Sequence, residues 1–217
     1  MDELASSLGV DPVQFRLQHI DDKRIREALL AATQKAGWQE RPSPAPSSSA
    51  AKASTKATGR GVALAGHEPR TIVAAVAEVE VDRTTGKVLV KKITMAHDCG
   101  LIVNPDGVRN QIQGNIIQGV SRTLLEEVQY DANGVNSLDW KSYPVITFAD
   151  VPEIDIVLLN HPDQPPLGAG EAAIIAVPAA IGNAIFDAVG VRLRDIPLKP
   201  QRVLQALKAQ SSVGQRA

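Results

Sequence analysis

The chain has 217 residues, of which 44% are apolar, so it can bury a substantial core as one large domain or two small ones. Its net charge of -1 and its aromatic content of only 3% argue against binding to nucleic acid or to an anionic membrane surface. A single cysteine, Cys99, excludes an intrachain disulfide and any zinc or iron–sulfur site built from this chain's cysteines.

Residues 1–38 are predicted to be a helical segment. Asp11 followed by Pro12 is typical of a helix start, because aspartate caps free backbone N–H groups and proline fits the first turn. A second helix is predicted after Asp22 and ends at Gly37, with one apolar face formed by Ile25, Leu29, Ala32 and Ala36. These short helices have too little apolar surface to fold alone, so we expect them to dock on a larger domain.

Residues 39–60 (QERPSPAPSSSAAKASTKATGR) are predicted to be a linker or a mobile surface loop. They are rich in Ser, Ala and Pro and lack apolar periodicity.

Residues 61–210 are predicted to form the main domain. Alternating valines on both sides of Gly86 indicate a β-hairpin whose second strand runs to a loop at Asp98-Cys99-Gly100. The further predictions are a helix over 105–128, a strand over 152–160, a helix from about Pro178 to Gly190 and a frayed tail over 211–217. This mixture of strands and helices predicts an α+β fold.

The first candidate site is the loop Gly168-Ala169-Gly170-Glu171. A Gly-X-Gly loop lets the backbone come close to a bound group, and a carboxylate fixed at its end can accept a proton. A glutamate ahead of a helix is also typical of a solvated partner of the helix dipole. Both interpretations of Glu171 stay open on these residues alone.

The second candidate site is the stretch 98–118, where amide side chains surround a predicted helix start. Amides donate and accept hydrogen bonds, which suits a polar heterocycle such as a pterin, and helix N-termini suit anions. A polar helix face with caps is the alternative. The amides are Asn104, Asn110, Gln111, Gln113, Asn115 and Gln118. Gly114 and Gly119 inside this helix indicate either a close ligand or tight helix packing.

Other reactive side chains are weaker candidates. His97, Asp98 and Cys99 are adjacent in a strand, so they point to alternating faces and cannot form a hydrolase triad by themselves. We expect Cys99 to be a small buried apolar residue rather than a nucleophile. The four histidines show no spacing typical of metal ligands, and no metal ligand is predicted.

Together, in this order, the two candidate segments resemble the large subunit of the xanthine oxidase-type molybdenum hydroxylases, in particular the isoquinoline 1-oxidoreductase and nicotinate dehydrogenase group. The first family motif is matched by Asp98-Cys99-Gly100, Asn104-Pro105, Val108, Gln111, Gly114 and Gln118-Gly119. The second is matched by Gly168 to Glu171, then by Pro178-Ala179-Ala180 through Gly190, Arg192, Arg194 and Pro197. Ala172 departs from the family, where many relatives have proline after the glutamate.

The resemblance implies a C-terminal molybdopterin-binding domain with mixed sheets and packed helices. It implies molybdenum held by molybdopterin, in its cytosine dinucleotide form, and hydroxylation of an N-heteroaromatic compound or an aldehyde with water-derived oxygen. Glu171 matches the active-site base, Gln111 matches a pterin-contacting glutamine, and the backbone of Asn104 and Gly170 is implied to shape the pocket. We expect Glu171 to be buried in an apolar loop, an environment that suits a base working near neutrality.

The resemblance also implies partner chains. The family's upstream half carries glycine-rich pterin-binding loops, and its [2Fe–2S] clusters need cysteines that this chain lacks. We therefore expect an upstream molybdopterin-binding half and a [2Fe–2S] subunit as partners, and no tight cofactor binding by this chain alone, whether it is a split subunit or a truncated product. The alternative is a non-catalytic remnant or assembly module of the same fold; a generic α+β binding domain is the third.

No targeting or membrane segment is predicted. The N-terminus is acidic and too poor in apolar residues for a signal peptide, and no apolar run approaches the ~20 residues that span a bilayer. The sequence leaves open whether the complex works on the cytoplasmic or the periplasmic side of a bacterial inner membrane.

Overall fold

A computed structural model describes residues 1–44, 54–67 and 71–214. The chain opens with helices α1 (Asp2–Ser7), α2 (Pro12–Leu17) and α3 (Lys23–Lys35) and continues with strands β1 (Lys56–His67), β2 (Thr71–Asp82) and β3 (Val88–Asp98). Then follow helix α4 (Pro105–Leu124), short strands β4 (Tyr130–Asp131) and β5 (Gly134–Val135), a 3-10 turn (Phe148–Asp150) and strand β6 (Glu153–Leu159). Helices α5 (Ala172–Val189) and α6 (Pro200–Gly214) complete the described chain.

The main sheet has four strands in the order β1-β2-β3-β6. The first three are antiparallel neighbours, whereas β6 runs parallel to β3, with Lys92 opposite Glu153 and Asp98 opposite Leu159. Because parallel strands end at the same edge of a sheet, the loops that follow β3 and β6 lie side by side. The predicted α+β fold with a mixed sheet is confirmed.

Both faces of the sheet are covered, so β2 is buried nearly throughout. On one face Ile72, Ala74 and Val76 pack with Ala28, Leu29 and Ala32 of α3. On the other face Val73, Ala75 and Ala77 belong to the main core with α4 and α5. The N-terminal helices therefore dock on the sheet, as their amphipathic pattern predicts. Their caps also agree, since Asp11 and Asp22 accept backbone N–H groups at the starts of α2 and α3.

The predicted linker over 39–60 is wrong on both sides of residues 45–53, which lie outside the described residues. Arg41 forms a bidentate ion pair with buried Asp187, both N–O distances being 2.6 Å. Residues 56–60 lie in β1, where α5 crosses so closely that a Cβ on Gly59 or Gly61 would come within 2.3 or 2.2 Å of the Ala184 backbone. Small residues here serve close packing rather than flexibility, so the main domain begins before residue 61.

The predicted helix start near Pro178 is also wrong, because α5 begins at Ala172 and contains Pro178. A proline inside a helix removes one backbone hydrogen bond, but the preceding turns bury Ala172, Ala173, Ala176 and Val177 in the core. Burial therefore outweighs the proline's local preference. At other ends, α4 stops at Leu124 rather than 128, and α6 extends through Gly214 into the predicted tail, whose last residues, 215–217, lie outside the described part.

Helix α5 is long and apolar enough, by length and composition, to cross a membrane. It is mostly buried in the fold, packed on β1 and β2 on one side and on α4 on another. The expectation that no apolar run approaches such a length is therefore wrong. A helix covered by a sheet and a neighbouring helix needs the same apolar composition as a membrane span.

Candidate functional site

A cleft of about 310 Å³ lies where the loops after β3 and β6 meet the start of α4. Asn104, Gln111 and Gly170, three residues that the family resemblance selects, all line it. The rest of its lining is apolar or backbone, and no charged side chain belongs to it. Sequence positions up to 66 residues apart are thus brought together by the parallel pairing of β3 and β6.

Asn104 and Gln111 contribute to the cleft differently. The Asn104 side chain caps α4, since its Oδ1 accepts a 2.9 Å hydrogen bond from the Gly107 N–H. Because its side chain is engaged in this cap, Asn104 offers mainly its backbone to the cleft. The Gln111 side chain is exposed, and it has no hydrogen-bond partner among the described residues. Its amide is available to a ligand in the cleft.

The loop that carries Gly168 and Gly170 is fixed through its backbone. The Leu167 N–H donates to the Cys99 carbonyl at 2.9 Å. The hydroxyl of buried Thr71, at the start of β2, donates to the Gly168 carbonyl at 2.8 Å. Thr71 has no role in the sequence-based prediction, because no local motif marks a residue that far along the chain as a loop anchor.

Asn115 is the second loop anchor, and it is only 7% exposed. Its amide nitrogen donates to the Gln111 carbonyl at 2.7 Å and to the Gly170 carbonyl at 3.0 Å. Its amide oxygen accepts the Ile174 N–H at 3.2 Å. Because these bonds use both amide hydrogens, Asn115 faces the loop and α5, and it is not one of the amides offered to a ligand.

Glu171 follows Gly170 and occupies the N-cap position of α5 without a side-chain cap hydrogen bond. It is exposed, so the expected burial in an apolar loop is wrong for this chain. Glu171 is not among the residues that line the cleft, although its neighbour Gly170 is. No described part of the chain covers the glutamate.

Gly168 and Gly170 lack the contacts that usually require glycine. Neither has a positive φ angle. A Cβ on Gly168 would meet no atom within 4 Å, and one on Gly170 would meet only the Gln111 Oε1 at 3.9 Å. The described chain therefore leaves space beside this loop that a bound group could enter.

A buried carboxylate fixes the end of β3, directly before Cys99, which lines the cleft. Asp98 is fully buried and accepts two hydrogen bonds from Arg24 of α3, at 2.8 and 2.7 Å. It also accepts the Gly100 N–H at 2.9 Å. The carboxylate raises the pKa of the Arg24 guanidinium through the hydrogen bond and its charge. Asp98 belongs to the family motif. The sequence does not predict Arg24 as its partner, because Arg24 lies 74 residues away.

His97 and Cys99 are both buried, so neither is a free nucleophile or base at the surface. Burial lowers the pKa of His97 to about 4, against a smaller opposing effect of Asp98, and its ring nitrogens have no hydrogen-bond partner in the described chain. Burial raises the pKa of the Cys99 thiol, in agreement with its prediction as a buried apolar residue. His97 pairs with Val73 and Asp98 with Ile72, on opposite faces, so a triad is excluded.

The two glycines inside α4 differ. A Cβ on Gly119 would lie 2.8 Å from the Val177 Cβ, so this glycine serves tight packing of α4 on α5. A Cβ on Gly114 would meet nothing within 4 Å. In the described parts of the chain, no group of three or more His, Cys, Asp or Glu residues could hold a metal ion.

The match to a family model defines the class of protein. Residues 3–152 match the family model of the molybdopterin cofactor-binding domain, so the chain belongs to that family. The predicted resemblance to the molybdopterin-binding subunits of molybdenum hydroxylases is confirmed.

Particular relatives place the chain more closely. It is 42% identical over 214 residues to a subunit of the nicotinate dehydrogenase of Pseudomonas putida, covering 95% of this chain and 18% of the relative. It is 34% identical over 227 residues to a protein of Gluconacetobacter polyoxogenes named membrane-bound aldehyde dehydrogenase (pyrroloquinoline-quinone), covering 96% of this chain and 28% of the relative. The chain thus spans between about a fifth and a quarter of the relatives' length.

The crystal structure of quinoline 2-oxidoreductase from Pseudomonas putida 86 has a similar fold, with a TM-score of 0.60 and 34% sequence identity. The match covers 64% of this chain and 19% of the other.

Proposed function

We propose that this chain supplies one wall of a molybdopterin site in a molybdenum hydroxylase that oxidises an N-heteroaromatic compound or an aldehyde, with Glu171 as the base. The observation that carries the proposal is the convergence of Asn104, Gln111 and Gly170 on one cleft, directly followed by an uncommitted carboxylate. The substrate classes are those in the names of the relatives.

The cleft suits the uncharged end of a pterin cofactor. The Gln111 amide can donate and accept at the ring edge, and the open side of the Gly168–Gly170 loop lets backbone approach the ring. Since no cationic side chain lines the cleft, we place the phosphate of the cofactor, and the nucleotide of its cytosine dinucleotide form, against a partner chain.

The reaction converts a C–H bond and a water molecule to C–OH, two protons and two electrons. When bound, the molybdenum centre supplies the water-derived oxygen and takes up the two electrons. Glu171 would accept one proton at its carboxylate through general-base catalysis. Gln111 and the Gly170 backbone would hold the cofactor in the cleft next to this carboxylate.

The first experiment replaces Glu171 by Gln in the enzyme assembled with its partner chains. Turnover would be measured with nicotinate, isoquinoline and acetaldehyde and a dye as electron acceptor. General-base catalysis predicts a loss of about 10²–10⁴-fold in kcat with near-normal molybdenum content. Glu153→Gln, a matched change of an exposed carboxylate on β6, should leave turnover unchanged. Full activity of Glu171→Gln would remove the glutamate from the mechanism.

A partner is also proposed for the segment 125–152, which we call the apolar arm. It connects α4 to β6 and exposes large apolar side chains: Val128, Tyr130, Val135, Leu138, Trp140, Val145 and Phe148. Phe148 is 99% exposed and Leu138 is 81% exposed, values that favour an interface in a longer or assembled protein. We assign this surface to the upstream molybdopterin-binding half, since the relatives are about 3.5 to 5.5 times as long as this chain.

Leu138→Ser with Trp140→Ser should abolish co-purification of the upstream half, whereas Leu8→Ser, at an exposed leucine after α1, should preserve it. A dimer of the 217-residue chain that the arm variant disrupts would assign the arm to a second copy instead.

The alternative is a non-catalytic remnant or assembly module, which the exposure of Glu171 favours for the chain alone. Cofactor analysis of the complex from its native host separates the two. We expect molybdenum, a pterin and CMP after acid hydrolysis, together with iron on a [2Fe–2S] subunit. A complex free of molybdenum, or one that releases a quinone, would refute the proposed function.

A further inference from the structure

The start of α5 is capped by a residue from a different helix. Ile174 is the third residue of α5, and the N–H at this position is normally satisfied by the side chain of the N-cap residue. The N-cap residue here is Glu171, whose side chain makes no such bond. The Ile174 N–H is shared between two acceptors: the Glu171 backbone carbonyl at 3.3 Å and the amide oxygen of Asn115 at 3.2 Å, which takes the place of a capping side chain.

The same side chain fixes the residue before the glutamate. The Asn115 amide nitrogen donates to the Gly170 carbonyl at 3.0 Å, and its second hydrogen is used by the Gln111 carbonyl at 2.7 Å. One buried amide thus connects α4, the glycine loop and α5. It holds the backbone on both sides of Glu171 without touching the glutamate's carboxylate.

We propose that Asn115 is a positioning residue for the reaction: it caps α5 in place of Glu171, so that the Glu171 carboxylate stays free to act as the base. This inference rests on the proposed function of Glu171. A carboxylate at an N-cap position would otherwise turn back to the free N–H groups of its own helix, where it is stabilised by hydrogen bonds and by the helix dipole. A glutamate that caps its own helix accepts those N–H groups, and hydrogen bonds to the ionised carboxylate make it a weaker base.

Burial explains why Asn115 can hold this position. At 7% exposure it is shielded from water, and its three hydrogen bonds satisfy both donors and one acceptor site of the amide. An aliphatic side chain of similar size would leave the Gly170 carbonyl and the Ile174 N–H without this partner. The Ile174 N–H could then donate to the Glu171 carboxylate, and the Gly170 carbonyl would have to accept from water.

The first test measures backbone protection and needs no substrate. In hydrogen–deuterium exchange of the 217-residue chain, Asn115→Leu should speed exchange in the peptide spanning 172–176 about 10-fold or more. Ser121→Ala is the matched control, because Ser121 is also buried on α4 and accepts a backbone N–H, that of Ile146 at 3.1 Å. Asn115→Asp keeps the acceptor and should retain protection at Ile174. Unchanged protection in Asn115→Leu, or equal loss in Ser121→Ala, would overturn the capping role.

The second test is a double-mutant cycle in the assembled enzyme, with the best substrate of the three-compound panel. Asn115→Leu should lower kcat about 10-fold while KM changes less than about 3-fold. In the Glu171→Gln background the same change should lower the residual kcat by less than about 2-fold, because Asn115 acts through the glutamate. If the two substitutions lower kcat independently, so that their fold-losses multiply, Asn115 has a structural role only and does not act through Glu171. Should Glu171→Gln itself leave kcat intact, the proposed function fails, whereas the exchange result still decides the cap.

Discussion

Two pairs of glycines in this molecule have opposite surroundings. At the crossing of α5 over β1, a Cβ on Gly59 or Gly61 would overlap the helix backbone, at 2.3 and 2.2 Å. In the cleft loop, a Cβ on Gly168 would meet no atom within 4 Å, and one on Gly170 would meet only the Gln111 Oε1, at 3.9 Å. The first pair is explained by the packing of the chain itself. The described chain offers no packing reason for the second pair.

This difference separates the structural part of the fold from its functional part. Where the chain packs on itself, the core is close-packed and leaves no room for an added methyl group. At the cleft, the backbone is held by polar anchors such as Thr71 and Asn115, and one side is left open. We therefore expect changes at the crossing to affect stability and changes at the loop to affect ligand binding.

The largest expected effect is at the crossing. Gly61→Ala should reduce the free energy of unfolding by about 3 kcal/mol or more, because the new methyl group meets helix backbone that cannot rotate away. Urea denaturation of the 217-residue chain measures this loss. Gly182→Ala is the control: it lies inside α5 with nothing within 4 Å of its Cβ, and it should stabilise the chain by up to ~1 kcal/mol.

Acid should weaken the core through His97. Its pKa is lowered to about 4 in the fold, so the unfolded chain, with the ordinary value of 6.5, binds the proton more readily. The contribution of the neutral His97 ring to the free energy of unfolding is fully present above about pH 6.5. It falls by about 3 kcal/mol as the pH is lowered through about 4. His97→Leu should flatten this dependence in urea melts at a series of pH values. Parallel curves for the two proteins would contradict it.

The buried Arg24–Asp98 ion pair beside the cleft should be less sensitive than the crossing. Arg24→Met leaves buried Asp98 without its cation, and we expect a loss of about 2 kcal/mol, since the Arg24 side chain is 23% exposed and partly screened. Thermal and urea unfolding measure it. Lys35→Met removes the more exposed Lys35–Asp155 pair at 3.8 Å and should cost less than ~0.5 kcal/mol. Equal losses of stability in Arg24→Met and Lys35→Met would show that the burial of Asp98 does not make its ion pair more important than an exposed one.

The smallest effect on stability is expected in the loop. Gly168→Ala and Gly170→Ala should change the free energy of unfolding by less than ~0.5 kcal/mol, because the added methyl groups find open space. In the assembled enzyme, however, Gly170→Ala should lower the molybdenum and pterin content severalfold. A destabilised chain, or a full cofactor load in both variants, would break the contrast between the two glycine pairs.

Local sequence determined the elements whose causes lie within a few residues. Asp11, Asp22, Asn104 and the turn at Gly86 mark helix starts and a hairpin that the structure confirms, because caps and tight turns are made by neighbouring residues. The resemblance selected Asn104, Gln111 and Gly170, which do share one cleft. Their roles toward a cofactor, and that of Glu171, stay predictions.

Only the tertiary structure decided what depends on contacts between distant segments. It placed 56–60 in a strand, extended α5 back to Ala172 despite Pro178, and left Glu171 exposed. It also revealed Arg24, Thr71 and Asn115 as anchors of the site. Their partners lie 74, 97 and 55 residues away along the chain. Such contacts arise from sheet pairing and helix packing, which no local pattern encodes.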